Sequence, residues 1–317
     1  MKEDCILIID GLNLFTRHFV VNPTMNESGN HIGGVVGFMK ALQLLSERFQ
    51  PKKIAVCWEG GGSARRRAIF PDYKKGSRPA KLNRYYEESE IPDTYENRNY
   101  QISLTISLLK NLPIVQIYVP DCEADDVVAY LVNGPYKNER TVVVSSDKDL
   151  YQLINEMHTQ WSPGQKKEIC KEDVLAKFGI SPENICAARA FVGDSSDGIP
   201  GVPGAGFKTM AKRFPQLSLD EPVYVQDLID SAKEISKKSK AKIYTSIAES
   251  EKEIIRNWKV MTLDGPGLSA HQIQKIENAV NTFEPRRDKM SLMRQMIKEG
   301  IKDFDINKLY MAICATC

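Results

Sequence analysis

The sequence has no long hydrophobic segment. No apolar run approaches the roughly 20 residues that are needed to cross a bilayer. The apolar run at residues 5–10 is too short for a signal peptide, and it ends in an aspartate. These absences argue against membrane insertion and secretion, so we expect a cytoplasmic protein with no membrane partner.

Cysteine and histidine are scarce and scattered. The seven cysteines show no paired spacing, which indicates reduced thiols rather than a disulfide framework. Cys314 and Cys317 form one C-x-x-C pair, but without a second pair or a nearby histidine it does not indicate a zinc site. The four histidines lack metal-ligand spacing, and none is indicated as a catalytic base.

The remaining composition is that of an ordinary globular protein with an uneven charge distribution. Of the 317 residues, 42% are hydrophobic and 26% are charged, which allows one large domain or two smaller ones. The net charge is only +2, yet residues 51–84 contain ten Lys or Arg against two acids. Such separation is typical of proteins that hold a metal with one patch and a polyanion with another.

Apolar runs rich in β-branched residues alternate with helical patterns in the first half of the chain. The predicted strands are 5–10, 53–59, 114–120 and 141–146, and the predicted helices are 34–49, 100–112 and 123–134. This alternation predicts an α/β fold with a parallel sheet and helices on both faces. Ligands of such sheets bind beyond the carboxyl ends of the strands.

Acidic residues follow each of the four predicted strands. They are Asp10 after the first, Glu59 after the second, Glu123, Asp125 and Asp126 after the third, and Asp147 and Asp149 after the fourth, with Asp194 and Asp197 in a later Gly-rich stretch. A single acid at such a position is more often an N-cap or turn residue. A whole set at one sheet edge predicts Mg²⁺ or Mn²⁺, because these ions prefer oxygen ligands and relieve the repulsion between carboxylates. Two such ions about 4 Å apart can activate water and stabilise the leaving oxygen of a phosphodiester.

A Gly-rich turn between two predicted helices has the form of a helix-hairpin-helix. The first helix opens at Ser181 and Pro182, and the second begins near residue 206. Glycine lets the backbone approach a phosphate closely, and helix N–H groups bind it without reading base sequence. The residues predicted to contact nucleic acid here are Gly201, Gly204, Gly206, Lys208, Thr209 and Lys212.

A basic segment at residues 63–88 interleaves cations with aromatic residues. Cations can follow the backbone of a single strand while rings stack on its bases, although a solvated charged loop is the alternative. Because the segment comes directly after the second predicted strand, we expect it above the acidic edge. Its candidate nucleic-acid contacts are Arg65, Arg66, Arg67, Tyr73, Lys74, Lys75, Arg78, Lys81 and Arg84.

Taken in order, five stretches resemble the flap endonuclease/5′→3′ exonuclease family, as found in bacteriophage 5′-nucleases and in the 5′-nuclease domain of bacterial DNA polymerase I. They are IIDGLNLFTR, CWEGGGSARR, EADD, SSDKD and GDSSDGIPGVPGAGFKTMAKRF. The resemblance implies a PIN-like parallel sheet flanked by helices, with a helical arch and a helix-hairpin-helix (H3TH) region. The implied divisions are 1–180 for the catalytic domain with its arch near 60–100, 181–260 for the helix-hairpin-helix region, and 261–317 for a C-terminal helical extension.

The resemblance also implies roles for individual residues. One metal site would lie around Asp10, Glu123, Asp125 and Asp126, and a second around Asp147, Asp149, Asp194 and Asp197. Glu59 stands where the family usually has Asp, which moves its carboxylate one methylene farther out. Arg17 matches the family's basic residue after the first strand, and Lys74 and Arg78 match the arch base that meets the scissile phosphate. The predicted catalytic residues are Lys74, Arg78, Asp10 and Asp147.

The resemblance therefore implies a structure-specific 5′-nuclease that uses two Mg²⁺ or Mn²⁺ ions on DNA flaps, on 5′ ends and on RNA primers in RNA–DNA hybrids. The resemblance also implies a K⁺ ion in the hairpin and a monomeric protein. It implies replication proteins as partners, and a location in the nucleoid or in the cytoplasm of an infected host. Two alternatives stay open: a PIN-like ribonuclease, and a non-catalytic DNA-junction binding protein that would not need the acids. An aspartyl-nucleophile phosphatase would require Asp-x-Asp after the first strand, where Asp10-Gly11-Leu12 stands instead.

Overall fold

The computed structural model of the chain describes residues 4–76, 94–263, 267–301 and 304–314. A six-stranded sheet in the order β3-β2-β1-β4-β5-β6 forms its centre. The strands are β1 (Ile6–Asp10), β2 (Lys53–Trp58), β3 (Ile114–Tyr118), β4 (Thr141–Val144), β5 (His158–Ser162) and β6 (Lys167–Ile169). Neighbouring strands from β1 to β5 pair in parallel, and β6 pairs antiparallel with β5.

Helices lie along the chain between and after these strands. They are α1 (Gly11–Val21), α2 (Gly33–Phe49), α3 (Ala64–Ile69), α4 (Tyr95–Leu109), α5 (Ala124–Asn133), α6 (Lys171–Phe178), α7 (Pro182–Val192), α8 (Phe207–Arg213), α9 (Val225–Ser236), α10 (Lys242–Glu249), α11 (Glu251–Met261), α12 (Ala270–Asn281), α13 (Lys289–Lys298) and α14 (Ile306–Cys314). The described residues contain no helix long and apolar enough to cross a membrane.

Alternate residues of the central strand enter different cores. Leu7 and Ile9 of β1 pack with α1, α2 and α4 on one face of the sheet, whereas Ile6 and Ile8 pack with α5 on the other. Every residue of β1 and β4 is buried, which explains why these strands read as continuous apolar runs rather than alternating patterns. The predicted parallel sheet with helices on both faces is confirmed.

The predicted elements occur with shifted ends, and two strands are not predicted from the sequence. Helix α4 begins at Tyr95, ahead of the predicted start at residue 100. The sequences of β5 and β6, HTQWS and KEI, lack the apolar runs that identify the other strands. They are strands because β5 pairs in parallel with β4 and β6 pairs antiparallel with β5.

The last helices return to the sheet. Met296 of α13 and Ile313 of α14 are buried in the core with α1 and α2, and Ile276 of α12 is buried in the core on the opposite face. Helices α6 to α11 share a separate core beneath the Gly-rich hairpin. The described helices after residue 261 therefore pack in the cores on both faces of the sheet, and the division of the chain at residue 261 stays a prediction. Cys314 is a free thiol, and Cys317 lies outside the described residues.

Candidate metal centre and nucleic-acid interface

Four carboxylates lie at the carboxyl edge of the sheet: Asp10, Glu59, Asp125 and Asp147, here called the sheet group. Asp10 ends β1 and caps α1, and its side chain accepts hydrogen bonds from the Asn13 backbone N–H at 3.1 Å and from Ser145 Oγ at 3.0 Å. Burial raises the pKa of Asp10 to about 7, although both hydrogen bonds oppose the shift. The sheet thus holds a carboxylate in a place where its charge is costly.

The other members of the sheet group surround Asp10. Glu59 follows β2 and accepts backbone hydrogen bonds from Gly62 at 3.2 Å and Ala124 at 3.3 Å. Burial, followed by the negative charges of Asp147 and Asp10, raises the pKa of Asp125 well above its ordinary value. The sheet group lines a cavity of about 500 Å³, the sheet cavity, together with Arg17.

Three further carboxylates meet where the Gly-rich hairpin reaches the sheet: Asp149, Asp194 and Asp197, here called the hairpin group. Each offers an oxygen atom, and these atoms all lie within 4.8 Å of one another. Among the described residues, no other set of three potential metal ligands lies so close together. The hairpin group lines a second cavity of about 400 Å³, the hairpin cavity, which shares Lys74, Glu123, Asp125 and Asp147 with the sheet cavity.

Local backbone structure places each member of the hairpin group. Asp149 begins a short 3₁₀ turn, and its N–H donates to Asp147 Oδ1 at 2.9 Å. Gln160 of β5 holds this turn from behind, because its Nε2 donates to the carbonyls of Ser145 at 2.9 Å and Asp147 at 2.7 Å. The hairpin closes through reciprocal backbone hydrogen bonds between Asp194 and Ile199 at 2.8 and 2.7 Å.

Arg189 enters the hairpin group although nothing in the sequence marks it as a site residue. Its Nη2 lies 2.5 Å from both Asp149 Oδ1 and Asp194 Oδ2. Burial raises the pKa of Asp149 to about 7 against the effect of Arg189. Burial would also raise the pKa of Asp194, but hydrogen bonds from Ser196 and the charge of Arg189 outweigh it and lower the pKa.

Glu123 joins the two cavities and is held by three side chains. Lys74 Nζ and Tyr73 Oη donate to it at 3.0 and 2.9 Å, and Arg66 Nη1 donates at 3.1 Å. Lys74 has a left-handed backbone (φ 51°), which is held by a 3.0 Å hydrogen bond from its N–H to the Asp197 carbonyl. The Lys74 ammonium therefore lies between Glu123 and Asp197 and is 46% exposed.

Three predicted site residues lie in the interior rather than on the surface. Arg66, predicted to contact nucleic acid, is 3% exposed, and its Nη atoms donate to both oxygens of Asp126 at 2.6 and 2.7 Å. Tyr73 is also buried, with its hydroxyl on Glu123. Asp126, predicted as a metal ligand, is neutralised by Arg66 and lines neither the sheet cavity nor the hairpin cavity. Arg66 and Tyr73 nevertheless line the hairpin cavity, and the direct contacts predicted for the three side chains stay predictions.

The other predicted nucleic-acid contacts in this region lie at the surface where they are described. Arg17, Arg67 and Lys75 are exposed, and Arg65 is half-buried with its Nη2 on the Lys259 carbonyl. The predicted contacts Arg78, Lys81 and Arg84 lie outside the described residues. Three of these predicted contacts are therefore open to solvent, and their contact with nucleic acid stays a prediction.

The helix-hairpin-helix forms as predicted between α7 and α8. A Cβ atom at Gly201 would lie 2.0 Å from the Val192 carbonyl oxygen, so only glycine fits there. Gly204 has a left-handed backbone (φ 83°), and Gly206 caps α8 with open space around it. Lys208 and Lys212 are exposed on α8, and Thr209 is half-buried between them.

The donor set fits hard divalent cations. Both groups offer carboxylate oxygens and neither offers sulfur or imidazole, which is the preference of Mg²⁺ and Mn²⁺. In addition, Asp149 Oδ1 is buried with no hydrogen bond, because its 2.5 Å contact with Arg189 is an ion pair outside hydrogen-bond geometry. A buried oxygen of this kind is suited to a cation.

The sequence of the chain is similar to those of known 5′-3′ exonucleases. Residues 5–179 match the family described as 5′-3′ exonuclease, N-terminal resolvase-like domain. A 5′-3′ exonuclease of Bacillus subtilis is 33% identical over 224 residues, which are 67% of this chain and 70% of that protein. A 5′-3′ exonuclease of Aquifex aeolicus is 32% identical over 206 residues, 64% of this chain and 66% of that protein, so the match spans about two thirds of such relatives.

Solved structures show the same fold. The T5 5′-exonuclease with bound divalent metal ions (zinc) has a TM-score of 0.69 at 20% identity, covering 87% of this chain and 97% of that one. The catalytic core of Rad2 in complex with DNA substrate has a TM-score of 0.53 at 14% identity, covering 100% of this chain and 93% of that one. These matches confirm the predicted fold class. From the matched residues 5–179 and the similarity to the bacterial enzymes, the chain belongs to the 5′-3′ exonuclease family of nucleases.

Proposed function

We propose that this protein is a structure-specific 5′-nuclease that hydrolyses phosphodiesters at 5′ flaps and 5′ ends of DNA with two divalent metal ions. The observation that carries the proposal is the pair of adjoining cavities, which share Glu123, Asp125 and Asp147 and lie beneath the Lys74 ammonium. A relative 31% identical over 224 residues, from a Shewanella strain, is named flap endonuclease Xni, which supports the same reaction class.

The two carboxylate groups would hold the two ions, Mg²⁺ or Mn²⁺. The sheet group with Glu123 would hold one ion, and the hairpin group with Asp147 the other. When bound, such ions supply an activated water and stabilise the leaving oxygen of the phosphodiester. The protein contributes the fixed positions of the carboxylates, which the strand ends and the hairpin determine.

Lys74 and Arg17 would position the scissile phosphate. The charges of Glu123 and Asp197 raise the pKa of Lys74 above its ordinary value in spite of burial, so the ammonium stays charged. Arg17 is exposed and lines the sheet cavity, one helical turn after Asn13 on α1. Cations placed at these two points stabilise the negative charge that develops at the phosphate during cleavage.

DNA would bind across the hairpin and the described basic surface. The Gly201–Gly206 turn and the exposed Lys208 and Lys212 suit a phosphate backbone, and none of these groups reads base identity. The exposed Arg67 and Lys75 would attract the 5′ single strand above the acids. The hairpin favours this function over that of a PIN-like ribonuclease, since small ribonucleases of that kind generally lack it.

Several finer features stay predictions. They are the cutting of RNA primers in RNA–DNA hybrids, a K⁺ ion in the hairpin, the monomeric state, a cytoplasmic location, and replication proteins as partners. None of them is required for the cleavage reaction proposed here.

Cleavage of a 5′-labelled flap tests the proposal. The wild type is compared with the double variant Asp147→Ala/Asp149→Ala in Mg²⁺ and in EDTA, with products sized to the nucleotide. We expect one main cut near the junction, in Mg²⁺ only, and a loss of at least about 10³-fold in the variant because one carboxylate is removed from each group. Short products from the 5′ end would shift the main activity to exonucleolytic cleavage.

A matched control separates the site from a general charge effect. Glu156→Ala/Asp220→Ala removes two acids that both pair with the Lys171 ammonium on the surface, and it should cut like the wild type. Firm flap binding without cleavage in any divalent ion would replace the proposal with a non-catalytic junction binder.

A further inference from the structure

Arg189 is the cation most closely engaged with the hairpin group. It lies in the last turn of α7, and its Nη2 is 2.5 Å from one oxygen of Asp149 and 2.5 Å from one oxygen of Asp194. Its side chain is 11% exposed, so water screens these contacts weakly. A single guanidinium thus bridges an acid that follows β4 and an acid of the hairpin.

The same two carboxylates belong to the set whose oxygen atoms lie within 4.8 Å of one another. A divalent cation bound by this set and the Arg189 guanidinium would attract the same negative charges at close range. Because like charges repel strongly in a partly buried site, the two cations cannot both remain in full contact with Asp149 and Asp194. Their binding is therefore competitive.

The pairing of Arg189 is also incomplete, in contrast to that of Arg66. Arg66 donates from Nε to the Val260 carbonyl at 2.8 Å and from both Nη atoms to Asp126, so its guanidinium is held on every side. The Nε of Arg189 and the Oδ1 of Asp149 are both buried and have no hydrogen-bond partner. A cation without these hydrogen bonds is the easier one to displace, since less is lost when it moves.

We propose that Arg189 is a built-in counter-ion that holds Asp149 and Asp194 together and competes with a divalent ion for them. It is a positioning residue, and it lowers the affinity of the hairpin group for metal while keeping these carboxylates in place before the ion arrives. The inference rests on the proposed function only in assuming that the hairpin group binds a divalent ion.

Metal titration without DNA tests the inference directly. Binding of MnCl₂ and MgCl₂ is measured by calorimetry for the wild type and for Arg189→Met, which removes the charge and keeps an unbranched side chain. We expect one ion to bind about tenfold more tightly to the variant. Thermal unfolding provides a second readout. In EDTA the variant should have a lower melting temperature than the wild type, and Mg²⁺ should raise the melting temperature of the variant by more than that of the wild type. A merely structural arginine would lower both melting temperatures equally.

Two control variants isolate the position and the charge. Arg140→Met makes the same change in net charge at an ion pair with Glu168, and it should bind metal like the wild type. Arg189→Lys keeps the charge, so its metal affinity should stay within about threefold of the wild-type value.

Unchanged or weaker metal binding by folded Arg189→Met would overturn the inference, as would an Arg189→Met protein that fails to fold even in Mg²⁺. Absence of metal binding in every protein, wild type included, would instead refute the two-metal function.

Discussion

The sheet group and the hairpin group are held in different ways. Among the described residues, no Lys or Arg forms an ion pair with Asp10, Glu59, Asp125 or Asp147, so burial and mutual repulsion raise the pKa of Asp10 to about 7. In the hairpin group, Arg189 contacts Asp149 and Asp194, and Lys74 lies 3.8 Å from Asp197. One set of carboxylates has no direct ion-pair partner among the described residues, and the other is in contact with cations.

This difference follows from where each group comes from. Strand ends of a buried parallel sheet have fixed positions, so acids placed there stay together at a cost that the rest of the fold offsets. The hairpin is a loop between α7 and α8, and it lacks the hydrogen-bonded ladder that fixes the strands. Cations that bridge it to the sheet supply part of that restraint. Removing a carboxylate from the sheet group should therefore stabilise the folded protein in the absence of metal, whereas removing a cation that pairs with buried acids should destabilise it.

Asp125→Asn should have the largest effect, and it tests the sheet group. The substitution removes a half-buried carboxylate that repels Asp147 and Asp10 and that the proposed function assigns to a metal. We expect flap cleavage in Mg²⁺ to fall by about 10³-fold or more. In EDTA the variant should be more stable than the wild type by about 1 kcal/mol, because repulsion is relieved. Cleavage rates and urea unfolding measure the two effects.

Asp121→Asn is the matched control for that prediction. It makes the same chemical change at an exposed residue with a left-handed backbone (φ 53°), which Asn tolerates well. Its cleavage rate and stability should equal those of the wild type. Lower stability of Asp125→Asn in EDTA would contradict the view that the sheet group is strained by its own charges.

Arg66→Met should cause the next largest effect, with the opposite sign in stability. Removing the guanidinium leaves Asp126 buried without its cation and leaves Glu123 paired with Lys74 alone. We expect a loss of about 3 to 5 kcal/mol in the free energy of unfolding. Denaturant unfolding in EDTA measures it, with Arg67→Met as the control because that neighbouring side chain is exposed. A loss no larger than that of Arg67→Met would show that the buried pair contributes little.

The residues that were predictable from the sequence are those whose positions the strands determine. Asp10, Glu59 and Asp147 follow apolar runs, and parallel strands bring such ends to one edge, so their meeting could be expected from the pattern alone. The hairpin glycines were predictable for a similar reason, since a tight turn at Gly201 leaves no room for a Cβ atom beside the Val192 carbonyl.

The residues that were not predictable depend on contacts between distant segments. Arg66 looks like one of several surface cations in its segment, but its partners Glu123 and Asp126 lie 57 and 60 residues away and draw it inside. Arg189 is the single basic residue of α7, and only the meeting of the hairpin with the turn after β4 gives it a role. Gln160 lies on β5, a strand that is itself absent from the apolar pattern.

The smallest predicted effect separates the pH dependence of the sheet group from that of His18, which lies on α1 outside the sheet cavity. Burial, reinforced by Arg17, lowers the pKa of His18 to about 4 from 6.5. Between these values the unfolded chain binds a proton that the folded protein does not, so His18 makes the folded state less stable as pH falls from 6.5. Asp10 acts in the opposite direction, because its raised pKa lets the folded protein bind the extra proton below pH 7.

Comparing the wild type with His18→Gln tests the histidine alone, because both proteins contain the same acids and the contribution of those acids to the pH dependence cancels. We expect the wild type to lose about 1 to 2 kcal/mol relative to the variant between pH 7.5 and 5, measured by urea unfolding in EDTA. Parallel stability curves for the two proteins would mean that His18 titrates normally in the folded state.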